Sequence, residues 1–458
     1  MTDWRPVVQS SLQTIEIRRT PPGQIKPTGQ VVGRIRYDDW NTTPGKLRVA
    51  QIVLVLGVLL AGVVGVYAAI VRVNTTRDIA EHLEPLNANV TTLYRSLADA
   101  DATVAAGYLS GGVEPNELLT RYQRDLRAAA ANLAQADTQT EGEVVTAKWI
   151  ADITTQLPTY TGLVERARAN NRQGFPVGVA YLRHASELMQ SSILSEAAEL
   201  QQRQAARLDD AYRRAESVPI VALVSCGVSL AGLIFAQVFL FRRTHRVCNI
   251  GLVLASAAVL IGLGWWTVAG VTSANSLTSA LGHSRSVSDG LAPAQIAALQ
   301  ARALESLELV DRNAAAIEPE FDAQMQLLAR NKGTGGALGA ARQFATDEQG
   351  KARVQAAVDG ALGYARAHRE VRQLDDDGEY TKAVDAALKP DQGSAAAAFD
   401  RLTAALTTAI EYEHGAFTQD LNHVRGSLTG LPIGTVGLTL GAVVGVALGV
   451  QQRLEEYR

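Results

Sequence analysis

Four apolar stretches without a single acidic or basic residue, Ile52 to Val71, Val218 to Phe241, Asn249 to Val271 and Leu431 to Val450, constrain this 458-residue chain more than any other feature. Each holds 20 residues or more. At about 1.5 Å of rise per residue, each crosses the roughly 30 Å hydrocarbon core of a bilayer as a helix. The expected plan is a head over 1–48, a span over 49–73, a polar segment over 74–217 and a second span over 218–241. A hairpin follows over 242–247, then a third span over 248–271, a second polar segment over 272–430, a fourth span over 431–450 and a tail over 451–458.

Charge orients this plan. The hairpin carries Arg242, Arg243 and Arg246 and no acid, which by the positive-inside tendency of short loops puts it in the cytoplasm. The head agrees, with eight basic residues from Arg5 to Arg48 against Asp3, Glu16, Asp38 and Asp39. The expectation is a multi-pass cell-membrane protein with both termini cytoplasmic and both polar segments outside. Its first span is expected to be a retained anchor rather than a cleaved signal peptide, because the apolar run is long and begins only after some 50 residues. A net charge of -3 offers no field that would favour nucleic acid. The two cysteines, Cys226 and Cys248, lie in or beside spans, so neither polar segment holds a disulfide and both depend on apolar cores.

Those cores are helical. From Ile79 the apolar positions run Ile79, Leu83, Leu86, Val90, Leu93, Leu97, Ala100 and Val104 in alternating steps of four and three, the seam of near-parallel packed helices. Gly111-Gly112 supplies a helix stop. Further helices are expected from Glu114-Pro115 to about Ala136, from Glu143 to Ala169 with Pro158 kinking it, and from Pro176 to the membrane. The second polar segment repeats the plan near 273–313, 318–345, 348–374 and 394–428, with breaks at 332–336, 374–378 and 389–393. Its last helix carries the seam Leu402, Leu406, Ala409, Ala416, Leu421, Val424, Leu428. Aromatic residues make up only 5% of the chain, which favours Leu/Ala bundles over strands. The fold class is therefore an all-α membrane protein: four transmembrane helices with two extracytoplasmic antiparallel four-helix bundles.

No nucleophile-base-acid set stands out, and none of the seven histidines has metal-ligand spacing, so neither an enzyme nor a cofactor is expected. Glu411, Glu413 and His414 fall close together on one helix, but solvated or paired charges explain them better than a metal. The spans lack the ionisable groups that ion-coupled transport needs at membrane depth. They contain small residues at four-residue spacing instead: Gly57, Ala61 and Gly65 in the first, Gly437, Gly441, Gly445 and Gly449 in the last. These are candidates for close helix packing, within the chain or in a homo-oligomer. The turns at Gly111, Gly112 and at Asn170, Asn171, Arg172, Gln173 fall at the far tip of the first bundle, and Asp375, Asp376, Asp377 at that of the second. All are candidate docking points for a partner, though turn chemistry alone also explains them. In the head, Arg34, Arg36 and Trp40 join Arg242, Arg243 and Arg246 as candidates for coupling to a cytoplasmic effector.

Paired spans flanking a helical bundle are similar to the sensor halves of chemoreceptors and histidine kinases. With the stretch Leu93-Tyr94-Arg95-Ser96-Leu97-Ala98-Asp99-Ala100-Asp101-Ala102-Thr103 and the turn from Asn170 to Pro176, the chain resembles the actinobacterial four-span GlnX-type membrane proteins. That resemblance implies a relay of an amino-acid signal from a surface solute-binding lipoprotein, GlnH, to the cytoplasmic Ser/Thr protein kinase G. It assigns no residue. Two other readings stand beside this transducer: a scaffold or accessory subunit of a membrane transport complex, and direct small-molecule sensing near Arg95, Asp99 and Arg121, which helix-face ion pairs also explain.

Overall fold

The computed structural model describes residues 43–140, 143–216, 220–244, 249–312 and 314–455, and among them there is no β-strand, only an isolated bridge between Arg330 and Gly335. Helix α1 (Thr43–Asp78) contains the first span and passes through a π-turn, Ile79–Leu83, into α2 (Glu84–Leu109). The chain returns through α3 (Asn116–Gln139), climbs again in α4 (Val144–Arg172) and descends in α5 (Val177–Leu188) and α6 (Leu194–Glu216), which flank a π-turn at Met189–Ile193. The second and third spans lie in α7 (Ile220–Thr244) and α8 (Ile250–Arg285). A π-turn at Ser286–Leu291 links α8 to α9 (Ala292–Asp311). The second bundle continues with α10 (Ala314–Ala329), α11 (Gly336–Phe344), α12 (Glu348–Asp376), α13 (Tyr380–Leu388) and α14 (Ala395–Leu428), and α15 (Leu431–Glu455) holds the fourth span. The helix expected over 318–345 is broken by the Arg330–Gly335 turn, and the short α13 lies where a loop was expected.

The heptad seam is the buried face of the first long helix: Ile79, Leu86, Val90, Leu93, Leu97, Ala100 and Val104 are all in the core. In α14 the seam runs through Leu402, Leu406, Ala409, Glu413, Phe417, Leu421, Val424 and Leu428, so Glu413 and Phe417 take the place expected of Ala416. Glu413 occupies a buried seam position because its carboxylate is paired there with His283 and Ser286.

The two bundles share one core. Leu93, Leu97 and Val104 of α2 belong to the same apolar cluster as Leu299, Leu304 and Leu309 of α9 and as Tyr364 and Leu402 of the second bundle. Helices α2 and α9 pack against each other at the centre of this body and are buried on every side over much of their length. A helix with no polar face needs neighbours all round, and small residues such as Ala98, Ala102, Ala294, Ala298 and Ala301 let them approach.

Below this body a second cluster forms a neck. Ala69 and Ile79 from the first long helix meet Leu208 and Tyr212 of α6, Trp266 and Leu277 of α8, and Phe417 and Leu428 of α14. The four spans then form a ring in which α1 touches α7 and α15, and α8 touches the same two. Apolar residues such as Tyr67, Phe235 and Ile433 point outward from it, as lipid-facing side chains should.

Candidate functional site

At the distal tip of the first bundle, Gly111 and Gly112 adopt φ of +72° and +46°, conformations that favour glycine, and they end α2 without adding side chains. Asn171 Nδ2 donates to the Tyr108 carbonyl at 3.0 Å, so the turn at 170–176 is tied to the turn at 110–115. Arg172 and Gln173 are exposed. Beside them lie Val113, Phe175 and Val177, with Val113 85% exposed, an apolar patch that polar-turn reasoning overlooked. Phe175 sits next to a Pro-Val step, and that run of apolar residues in a turn was the available signal.

The acidic tip of the second bundle is partly neutralised. Arg372 donates to Asp375 at 2.9 Å and to Asp376 at 2.7 Å, while Asp377 stays exposed as the residue that ends α12. Arg183 of α5 approaches Asp311 of α9 within 3.6 Å, joining the two distal ends.

Between the bundles lies a cleft of about 320 Å³. Arg121 closes it with a two-point bond to Asp99, at 2.7 and 3.2 Å, and Asp400 of α14 lines it from the other bundle. Burial, followed by the nearby Asp99 carboxylate, pushes Asp125 up to about 7. Arg95 is close enough to pull in the opposite direction. The structure therefore brings Arg95, Asp99 and Arg121 into one neighbourhood. Deeper in the first bundle, Asp101 accepts from Ser186 at 2.7 Å and from Tyr160 and Gln190 at 3.4 Å, and burial raises its pKa.

In the spans, the glycine ladder expected in the last helix divides. A Cβ on Gly445 would meet the Gly251 carbonyl at 2.7 Å, and one on Gly449 would meet Leu252 N at 3.0 Å, so these two pack on the third span. Gly437 and Gly441 have open space at their Cβ positions, so of the two expected uses of the ladder, packing within the chain falls to Gly445 and Gly449. Steps of four drift by about 40° on a 3.6-residue helix, and four such glycines do not stay on one face. Gly65 touches Thr435 and Ala61 is buried. Gly57 has open space at its Cβ position, although its carbonyl accepts from Ser229 at 3.1 Å. The closest approaches also involve Gly62 against Thr439, Gly434 against Trp265 and Gly251, none of which was anticipated.

Polar ties lock the ring near the hairpin side: Gln237 donates to Leu252 O and to Ser256 at 2.8 Å, and Asn249 to Gly449 O at 2.7 Å. A glutamine inside an apolar run was the signal for the first. At its middle the ring encloses a cavity of about 40 Å³ between residues of all four spans, among them Ala61, Ser229, Gly262 and Thr439, room for about one water. Arg242 is exposed in the last turn of α7, which also contains Arg243. Arg34, Arg36, Trp40 and Arg246 lie outside the described residues.

Residues 75–213 match the family model of an actinobacterial sensor domain. The matched segment runs from the top of α1 through α6, so it coincides with the first bundle, its distal turns and the Asp99–Arg121 wall of the cleft. This similarity supports a sensor-type membrane protein. No curated protein and no solved structure matches the chain.

Proposed function

We propose that the protein is a non-enzymatic transmembrane signal transducer, oriented with its bundles outside the cell and its termini and hairpin in the cytoplasm. A solute-binding lipoprotein brings an amino-acid signal to the distal tips, and a cytoplasmic Ser/Thr kinase receives the output. The observation that carries this reading is the passage of α1 into α2 and of α8 into α9, each as one helical run of 62 residues from span to distal tip. Both runs cross the shared core, so a load on either tip reaches the membrane through packed helix rather than through loop. Small sliding or rotation of such helices is a known way to switch a receptor. The sensor-domain similarity over 75–213 supports the receiving role of the first bundle.

The test is co-purification of the detergent-solubilised protein with a candidate binding lipoprotein, with and without amino acid. Ligand-dependent association is expected, and Phe175→Asp with Val113→Asp should abolish it. Absence of association in both states would overturn the docking reading.

A second reading, a scaffold of a membrane transport complex, draws on Gly437 and Gly441, which present a small-residue face to lipid that another membrane protein could cover. It requires constitutive contact. Cross-linking from a cysteine at Gly441 that is independent of ligand favours the scaffold, and ligand-dependent cross-linking favours the transducer.

A further inference from the structure

A second polar centre lies inside the second bundle, beneath its acidic tip and behind the cleft, which it adjoins through Arg372 and Arg302, and the transducer reading leaves it without a role. Glu305 and Glu308 are one turn apart on α9, Glu318 is near the start of α10, and His368 and Arg372 are one turn apart on α12. His368 is buried and held in place. Its ring stacks on Phe321 with centroids 3.6 Å apart, and its Nδ1 lies 2.9 Å from Glu305 Oε1. This turns Nε2 toward Glu318, 3.2 Å away.

We propose that Glu308, Glu318 and His368 bind a divalent transition-metal ion of the zinc or manganese class, which clips α9, α10 and α12 together in the second bundle. One donor atom from each of the three lies within 4.8 Å of the others, close enough to share a single ion. Glu305 behind the imidazole completes the carboxylate-histidine-metal relay that fixes the ring and strengthens its donor nitrogen. One nitrogen with two carboxylate ligands suits zinc or manganese better than calcium, which prefers an all-oxygen set.

One further observation supports the site. Glu308 is 1% exposed, and its Oε1 receives no hydrogen bond among the described residues; it faces Arg372 Nε at 3.0 Å, an ion pair that leaves a lone pair open to a metal ion.

The test uses the full-length protein in detergent, stripped with a chelator, desalted and then given Zn²⁺ or Mn²⁺ alone, with Mg²⁺ and Ca²⁺ as comparisons. Metal content after a second desalting and the thermal unfolding midpoint are measured together. About one zinc or manganese per chain and a raised midpoint are expected. Glu318 is the least buried ligand, and Glu318→Ala should weaken uptake at least about tenfold and reduce the metal-induced rise in midpoint, measured against the variant's own metal-free midpoint because it also loses the His368 contact. Failure of the stripped protein to retain either ion would overturn the proposal. So would wild-type affinity in Glu318→Ala, or equal retention of Mg²⁺ or Ca²⁺.

Discussion

Asp125 and His283 show how single buried groups set the pH response of the two bundles. The Asp125 carboxyl is pushed up to about 7, mainly by burial, and its Oδ2 accepts no hydrogen bond among the described residues. A carboxyl raised in the folded state favours folding below its unfolded value, about 3.9, and that contribution is lost as the pH rises through the folded value. Asp125→Asn is therefore expected to be more stable than the parent at pH 8 by about 1–3 kcal/mol, with the gap closing towards pH 4. Thermal unfolding across that range checks it. His283 is raised chiefly by its hydrogen bond with Glu413, against the pull of burial, with Asp420 and Asp347 adding to the rise. Its contribution is complete below about pH 6.5 and is lost as the pH climbs through the raised value. His283→Gln should cost about 3–5 kcal/mol at pH 6 and less at higher pH. Neither group is legible in the sequence, because burial defines Asp125 and a partner 130 residues away defines His283.

At the scale of elements, the spans separate glycines that pack from glycines that do not. Gly251→Val would drive a side chain into the Gly445 carbonyl and the Gly449 backbone, which cannot yield as a flexible side chain would. It should cost about 1–3 kcal/mol, whereas Gly441→Val should change stability by no more than about 0.5 kcal/mol. Unfolding in detergent distinguishes them. The joints differ in kind as well. The first and third spans run into their bundles through π-turns, while α14 stops at Leu428 and restarts as α15 after Gly430, whose φ is +81°. The expected bounds of the last bundle helix, 394–428, and of the fourth span, 431–450, leave the same gap. Gly430→Ala strains that joint and should cost about 1 kcal/mol. If the joint is a hinge, the same substitution should also reduce ligand-dependent cross-linking between α14 and its neighbours.

On the scale of the whole molecule, the shared core makes the two polar segments one mechanical body. The segment 75–213 that matches the sensor domain contains α2, and in isolation it would expose the face that α9 covers. Expressed alone it is expected to aggregate or bind a hydrophobic dye, while co-expression with 272–430 should give a soluble complex of the two. Independent solubility of both pieces, with no association, would contradict a common core.

The presence of four helices long and apolar enough to cross a membrane, the helical class, the heptad face of the first long helix and the turns at its tip were legible in the sequence, because each is encoded locally. Charge-free runs of 20 residues, a 3.5-residue period and paired glycines need no distant partner to be read. What only the tertiary structure decided is which faces meet: the all-round burial of α2 and α9, the contact of Gly445 with Gly251, and the gathering of Glu308, Glu318 and His368 from three helices. A period records that a face is apolar but not what covers it. Small residues and buried charges acquire their roles from groups far away in the chain, and folding is what brings those groups together.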